Sequence, residues 1–289
     1  MTYCVGLCLR DGLLFASDSR TNAGVDYVTT YSKMHVFTPA PDRMFVLLSA
    51  GSLATTQEII NHINRDLEYS EDGNNLLSSR YLFEAAEYIA SLSQRVQQNH
   101  SQALQQAGVS GEVTLILGGQ IQGQPHGMLM IYPQGNYIEA SESTPYLQIG
   151  ETKYGKPVLD RLLHYDLPMN DAARLALVSL TSTANSNITV GPPFELSVYS
   201  PDQFQLASHC RFEQNGSFVN ELEAAWKQGM QQAFNSLPRF EWESGQPGKS
   251  SHDSSECAVP ARPTAQRQQQ QQQQTNTSQP IPMIDQITT

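Results

Sequence analysis

The sequence predicts an α+β fold in which two antiparallel sheets lie between two pairs of helices. Two observations carry this. Segments of strand period and segments of helical period come in blocks rather than in strict alternation, in the order strands, two helices, strands, two helices, strands. The first two strands are also separated only by a short turn containing Asp11-Gly12, which joins antiparallel neighbours because glycine accepts a positive φ.

The elements follow in order. Residues 3–9 (YCVGLCL) are apolar and β-rich, and residues 13–17 (LLFAS) form the return strand after the Asp11-Gly12 turn. A polar stretch precedes two more strands, at 34–37 and 43–50 (RMFVLLSA). At Gly51 the period changes: Leu53, Ile59, Ile60, Ile63 and Leu67 share one face of a helix over 51–69. A loop with Asp72-Gly73 leads to a second helix over 80–104. Its stripe is Leu82, Phe83, Ala86, Ile89, Ala90 and Val96, and Gly108 lies just beyond its end. Strands return at 112–117, 127–132, 137–140 and 146–149. Helices follow at 157–164, with Pro157 suited to a first helical position, and at 170–182. Strands at 194–199 and 204–207 and a helix at 222–234, with Trp226 expected in the core, complete the folded part.

Composition sets further bounds. The chain has 289 residues, and the predicted elements fill a domain over 1–240. From 241 to 289 it turns rich in Ser, Gly, Pro and Gln, with seven consecutive glutamines from Gln268 to Gln274; this tail is expected to be disordered. The net charge of −11 comes without any basic stripe, which argues against a nucleic-acid partner. No apolar run approaches the ~18–20 residues of a membrane span and no secretory signal pattern opens the chain, so a soluble, cytoplasmic protein is expected. The four cysteines form no CxxC pair. Cys4 and Cys8 are expected as core thiols in a reducing compartment. The seven histidines show no metal-ligand spacing, and neither a metal nor a cofactor is expected.

The candidate chemistry begins at the N-terminus. Removal of Met1 from a Met-Thr start leaves Thr2 with a free α-amine, whose reference pKa of about 7.7–8.0 suits a general base near neutrality. Hydroxyl and amine then supply nucleophile and base from one residue. With only Met1 ahead of Thr2, no long propeptide is expected. Counting back from the hairpin turn places Asp18 beside Thr2. Lys33, at the start of another strand, is a cation that lowers a hydroxyl pKa when placed beside it, with its own charge held by Asp18. Gly51, at a strand-to-helix junction, offers close backbone approach and an N–H for an oxyanion.

Thr2, the ASDSR segment with Asp18, Lys33 and the SAGSLA segment with Gly51 resemble proteasome β-subunits and their bacterial HslV relatives. The segments MTYCVGL, FASDSRTNAGVD, KMHVF, IGETKYGKP and SNITVGPP resemble more specifically the bacterial ancestral β-subunit family, Anbu, and the resemblance covers about residues 1–240. It implies a four-layer αββα sandwich of the N-terminal-nucleophile hydrolase type, a threonine-peptidase site and self-assembly into rings or ring-like homo-oligomers. The implied substrate is a peptide or unfolded protein. It also implies Thr2 as nucleophile, Asp18 and Lys33 as its charge pair and Gly51 as the oxyanion donor. Two supporting positions depart from the proteasome pattern. A Gly-Ser-Gly turn is replaced by Gly150-Glu151-Thr152, and an Asp-x-x-Ser-Gly by Ser186-Asn187-Ile188-Thr189, which makes Glu151 and Ser186 candidate site residues acting on the α-amine. Two alternatives stand beside a peptidase: an amidohydrolase of small amides on the same fold, and a non-proteolytic assembly subunit. The second ordinarily carries an N-terminal helical extension, which is not seen ahead of the first strand here.

Overall fold

The first hairpin organises the molecule. β1 (Tyr3–Leu9) and β2 (Gly12–Asp18) pair antiparallel, with Cys4 opposite Ser17 and Leu9 opposite Gly12. The two loop residues are therefore Arg10 and Asp11, one position earlier than the Asp11-Gly12 turn expected from sequence. Gly12 instead opens β2 at a φ of +134°, where a Cβ would collide with the Tyr199 carbonyl. The structure is a computed structural model that describes residues 2–22, 28–69 and 73–244; the expected tail from 245 onward and Asp72 of the expected loop lie outside the described residues.

Two five-stranded antiparallel sheets follow. The first has the order β10-β1-β2-β11-β12, with β10 at Tyr146–Gly150, β11 at Phe194–Tyr199 and β12 at Leu206–Phe212. The second has the order β5-β6-β7-β8-β9, built from Met34–Ala40, Arg43–Gly51, Val113–Ile121, Gly127–Ile131 and Tyr137–Glu139. Helices α1 (Leu53–Tyr69) and α2 (Leu82–Gln106) cover the second sheet; α3 (Lys156–Leu162) and α4 (Met169–Ser186) cover the first. α5 (Ser217–Asn235) packs on α4.

Three apolar layers hold the four structural layers together. Ile59, Ile63, Ile89 and Val96 of α1 and α2 meet Phe45, Leu47, Leu115 and Leu117. Leu159, Leu175, Ala176 and Leu180 of α3 and α4 meet Tyr3, Val5, Leu14 and Ala16. Between the sheets, Cys4, Phe15 and Ile149 meet Met44, Val46 and Ile116. The fold is thus the αββα sandwich expected from the block order. Ile116→Val in the inter-sheet layer is expected to lower stability by about 0.5–1.5 kcal/mol, measured by urea denaturation, because that residue is fully buried and the lost methyl leaves a void.

The differences from the sequence expectation have local causes. β3 (Arg20–Asn22) and β4 (Val28–Thr30) form a small ribbon where only a polar stretch was expected; three residues per strand leave no alternation to detect. The strand expected at 204–207 is β12, two residues later and longer. Phe204 lies in a turn with φ +50°, and the exposed edge position of β12 removes the apolar signal. α4 runs four residues past 182, α3 stops at Leu162 instead of 164, and α5 starts five residues before 222. Phe83, expected in the α2 stripe, is exposed and stacks on Tyr81 at 5.5 Å. Cys4 is buried and Cys8 half-buried. Trp226, expected in the core, is half-buried against a cleft of about 570 Å³ shared by α4 and α5.

The chain divides into two units, the first ending at Ser236 and the second beginning at Leu237. Within the second, the ring of Phe240 stacks at 4.1 Å on that of Trp242, which lies in a 3-10 turn at Glu241–Ser244.

Candidate active site

Asp18 is the last residue of β2, and the hairpin register sets it opposite the segment that begins β1. Its Oδ1 accepts the Tyr3 backbone N–H at 3.0 Å and its Oδ2 accepts the Gly191 N–H at 3.2 Å. The side chain has no exposed surface. Lys33 immediately precedes β5, and its carbonyl accepts the Ser49 N–H of β6 at 3.0 Å, which fixes its place on the second sheet. Its ammonium reaches across to Asp18 Oδ1 at 2.6 Å and to the Arg20 carbonyl at 2.7 Å, with only 6% of the residue exposed. A buried ion pair therefore ties the two sheets together directly behind the start of β1. Burial pushes the Asp18 carboxyl above the usual carboxylate range; Lys33 and the two backbone donors pull against it.

Thr2 is half-buried, and its carbonyl accepts the Glu151 N–H at 2.7 Å. Gly150 sits beside it at φ +85°, and any Cβ there would strike the Thr2 carbonyl. A glycine is what allows β10 to end so close to the N-terminal strand. Thr2, Lys33 and Gly51 line one cleft of about 580 Å³, with Arg20, Ser49 and Gly150 also on its wall.

Gly51 ends β6 at φ +123°. The next residue, Ser52, donates its N–H to the Glu112 carbonyl at 3.0 Å and caps α1 through its hydroxyl, which accepts the Thr55 N–H at 3.3 Å. N–H groups of an antiparallel strand alternate between its two neighbours. Ser49 donates toward Lys33, so Gly51, two residues on, directs its N–H to the same side, away from β7 and toward the cleft. Gly51→Ala is expected to cost about 1–3 kcal/mol in thermal denaturation, since a Cβ would collide with the Glu112 carbonyl and the φ is one that L-residues seldom adopt.

The structure thus brings Thr2, Asp18, Lys33, Gly51 and Glu151 together. It does not bring Ser186 there. Ser186 is exposed at the end of α4 and lines a different cleft, shared with α3 and α5. The residue that reaches the N-terminal region is the next one: Asn187 Nδ2 donates to Glu151 Oε2 at 2.9 Å. Sequence reasoning also missed Gly191, the second backbone donor to Asp18, and Arg20. The Arg20 guanidinium donates to the Ile188 carbonyl at 2.7 Å and lies where a Gly191 side chain would project. The glycine in SNITVGPP was a local signal for that close approach; the contacts themselves span more than 150 residues of sequence. Among the described residues no cluster of His, Cys, Asp and Glu suited to a metal ion occurs. The buried Cys4 thiol is pushed far up by desolvation and stays a core group.

The comparisons with known proteins agree with this architecture. A family model described as proteasome subunit matches residues 2–199. Among solved structures, Anbu (ancestral β-subunit) from Yersinia bercovieri is 40% identical, with a TM-score of 0.77 over 83% of this chain and 99% of that one. The helical assembly of the Anbu complex from Pseudomonas aeruginosa gives 40% identity and a TM-score of 0.77 over 83% and 98%. A Gly-1 mutant of Anbu from Hyphomicrobium sp. strain MC1 gives 37% and 0.78 over 83% and 100%. No match was found among curated proteins. With the family model covering most of the folded unit and the Anbu structures matching almost end to end, the chain belongs to the proteasome subunit family, in its Anbu group of ancestral β-subunits.

Proposed function

We propose that this protein is a threonine-type peptidase subunit whose nucleophile is Thr2, exposed by removal of Met1. The observation that carries the reading is the buried Asp18–Lys33 pair set behind Thr2 at a cleft, on the fold of a family of N-terminal-nucleophile hydrolases. A lysine buried in this way has no structural need to face a cleft, but it suits a hydroxyl that must lose a proton. In the proposed reaction the Thr2 Oγ1 forms a bond to the peptide carbonyl carbon while its proton passes to the α-amine. Lys33 stabilises the ionising hydroxyl, and the Gly51 N–H receives the carbonyl oxygen as it becomes an oxyanion. The amine then gives the proton to the departing peptide nitrogen as the C–N bond breaks. Water attacks the resulting ester, returning the Thr2 hydroxyl and releasing the acid. Glu151, whose backbone N–H holds it against the Thr2 carbonyl, is the acceptor proposed for the α-amine.

The test is intact-mass and N-terminal analysis after treatment with a β-lactone that acylates hydroxyl nucleophiles. The expected result is loss of Met1 and one adduct on Thr2. A retained Met1, or an unmodified Thr2 in folded protein, overturns the proposal.

The reading extends to self-assembly. The Anbu complex from Pseudomonas aeruginosa forms a helical assembly. In this chain α5 has Val219 as its buried residue, while Met230 and Phe234 are 51% and 68% exposed. Exposed apolar residues along one helix mark a surface for association. The expected outcome is a homo-oligomer in light scattering, shifted toward smaller species in Phe234→Lys; a strictly monomeric wild type would contradict it.

A further inference from the structure

Besides Asp18, a second acidic residue with a buried side chain, Glu151, adjoins Thr2 through its backbone. Glu151 is 6% exposed, and its own N–H binds the Thr2 carbonyl at 2.7 Å. One carboxylate oxygen, Oε1, faces the ammonium of Lys153 at 3.6 Å, a largely exposed lysine; the other, Oε2, receives the Asn187 amide at 2.9 Å. Asn187 follows the last residue of α4, with extended backbone angles that turn its side chain off the helix end.

Which end of the Asn187 amide meets Glu151 is decided by its other partners. Its Oδ1 lies 3.0 Å from the Thr189 backbone N–H and 2.6 Å from the Thr189 hydroxyl. A backbone N–H can only donate, so the oxygen must face Thr189 and the NH₂ group must face Glu151. Asn187 therefore offers Glu151 a donor in a fixed direction, anchored on the loop between α4 and β11. That same loop supplies the Gly191 N–H to Asp18, so one segment donates to both carboxylates.

We propose that Asn187 is a positioning residue that holds the Glu151 carboxylate toward Thr2, where it accepts a hydrogen bond from the free α-amine. The inference rests on Thr2 being the nucleophile. The charged groups facing this region are Lys153 on the β10–α3 loop, Asp18 at the end of β2, Lys33 ahead of β5, and Arg20 and Glu112 on the cleft wall. A carboxylate that accepts from an ammonium favours the charged form. An amine so held must lose its proton before it can serve as base, and it does so at higher pH than a free one. Without Asn187 the Glu151 side chain is released toward Lys153 and this hold weakens.

The experiment is the pH dependence of Thr2 acylation by the β-lactone, followed by intact mass, in wild type, Glu151→Gln, Asn187→Ala and the double variant. Glu151→Gln is expected to move the acid limb of the profile down by about 1 pH unit, the lower end for an opposite charge nearby. Asn187→Ala is expected to move it the same way by less. In the Glu151→Gln background, Asn187→Ala is expected to add nothing, because its effect passes through the carboxylate. A purely structural role would lower the rate at every pH and add to Glu151→Gln, and that result overturns the proposal. Should Asn187→Ala fail to melt cooperatively, Asn187→Ser replaces it, retaining a donor of shorter reach, with the same expectation in the double variant. Absence of a wild-type adduct overturns the nucleophile assignment itself, whereas a wild-type adduct with an unshifted Asn187→Ala profile overturns only the role of Asn187.

Discussion

Thr2→Ala is expected to lower turnover of a fluorogenic peptide by about 10⁴-fold or more, the scale seen when the nucleophile of an acyl-transfer enzyme is removed. It is expected to leave stability nearly unchanged, within about 0.5 kcal/mol. The separation follows from how Thr2 is held. Its fixed contacts are made by the backbone: the carbonyl accepts from Glu151, and Gly150 packs against that same carbonyl. The side chain is half-buried at a cleft and belongs to none of the three apolar layers. Alanine keeps those backbone contacts and removes the hydroxyl together with one methyl that belongs to no apolar layer. Thr2→Ser is the companion variant, because it keeps the hydroxyl and is expected to retain measurable turnover. Equal activity in Thr2→Ala and wild type would dismiss Thr2 as nucleophile.

Lys33→Ala is expected to damage both properties at once. It removes the charge partner of a carboxylate with no exposed surface and leaves Asp18 with two backbone donors only. Breaking a buried pair from one side costs about 3–5 kcal/mol. In a folded unit of this size that lowers the melting temperature by about 10 °C, at roughly 2–4 °C per kcal/mol. Peptide turnover is expected to be lost as well. Stability and chemistry are separated by the double variant Lys33→Met/Asp18→Asn, in which neither side chain is charged. It is expected to recover much of the lost stability and none of the activity. Recovery of activity without Lys33 would show that the lysine is structural.

Much of this was legible before any coordinates. Alternation of period over seven to twenty residues is a local property, so the order of strand and helix blocks could be read directly. That order leaves few ways to bury one face of each element, and the αββα sandwich is the one found. The meeting of Asp18 with the start of β1 was also readable, because a tight hairpin converts distance along the chain into distance across it. The one-residue shift of the turn, from Asp11-Gly12 to Arg10-Asp11, leaves Asp18 in reach through the Tyr3 N–H.

Lys33, fifteen residues beyond Asp18, is different. Its position beside Asp18 depends on the second sheet packing against the first, and from sequence it was anticipated only by weighing it with Asp18. The choice between Ser186 and Asn187 lay further out of reach. α4 runs to Ser186, four residues beyond where its apolar pattern fades, and that extension leaves Ser186 exposed while Asn187 meets Glu151. A helix end is set by capping and tertiary contacts over one residue, which periodicity cannot resolve.

By itself, then, the sequence determined the layers and the hairpin that sets Asp18 beside the start of β1, both through local pattern, and it pointed to Thr2 as the candidate nucleophile. Only the tertiary structure decided which distant groups meet the residues around Thr2: Asn187 on Glu151, Gly191 on Asp18, and Arg20 on the Ile188 carbonyl. Their partners lie between 36 and 173 residues away, and contacts of that span leave no periodic trace in the chain.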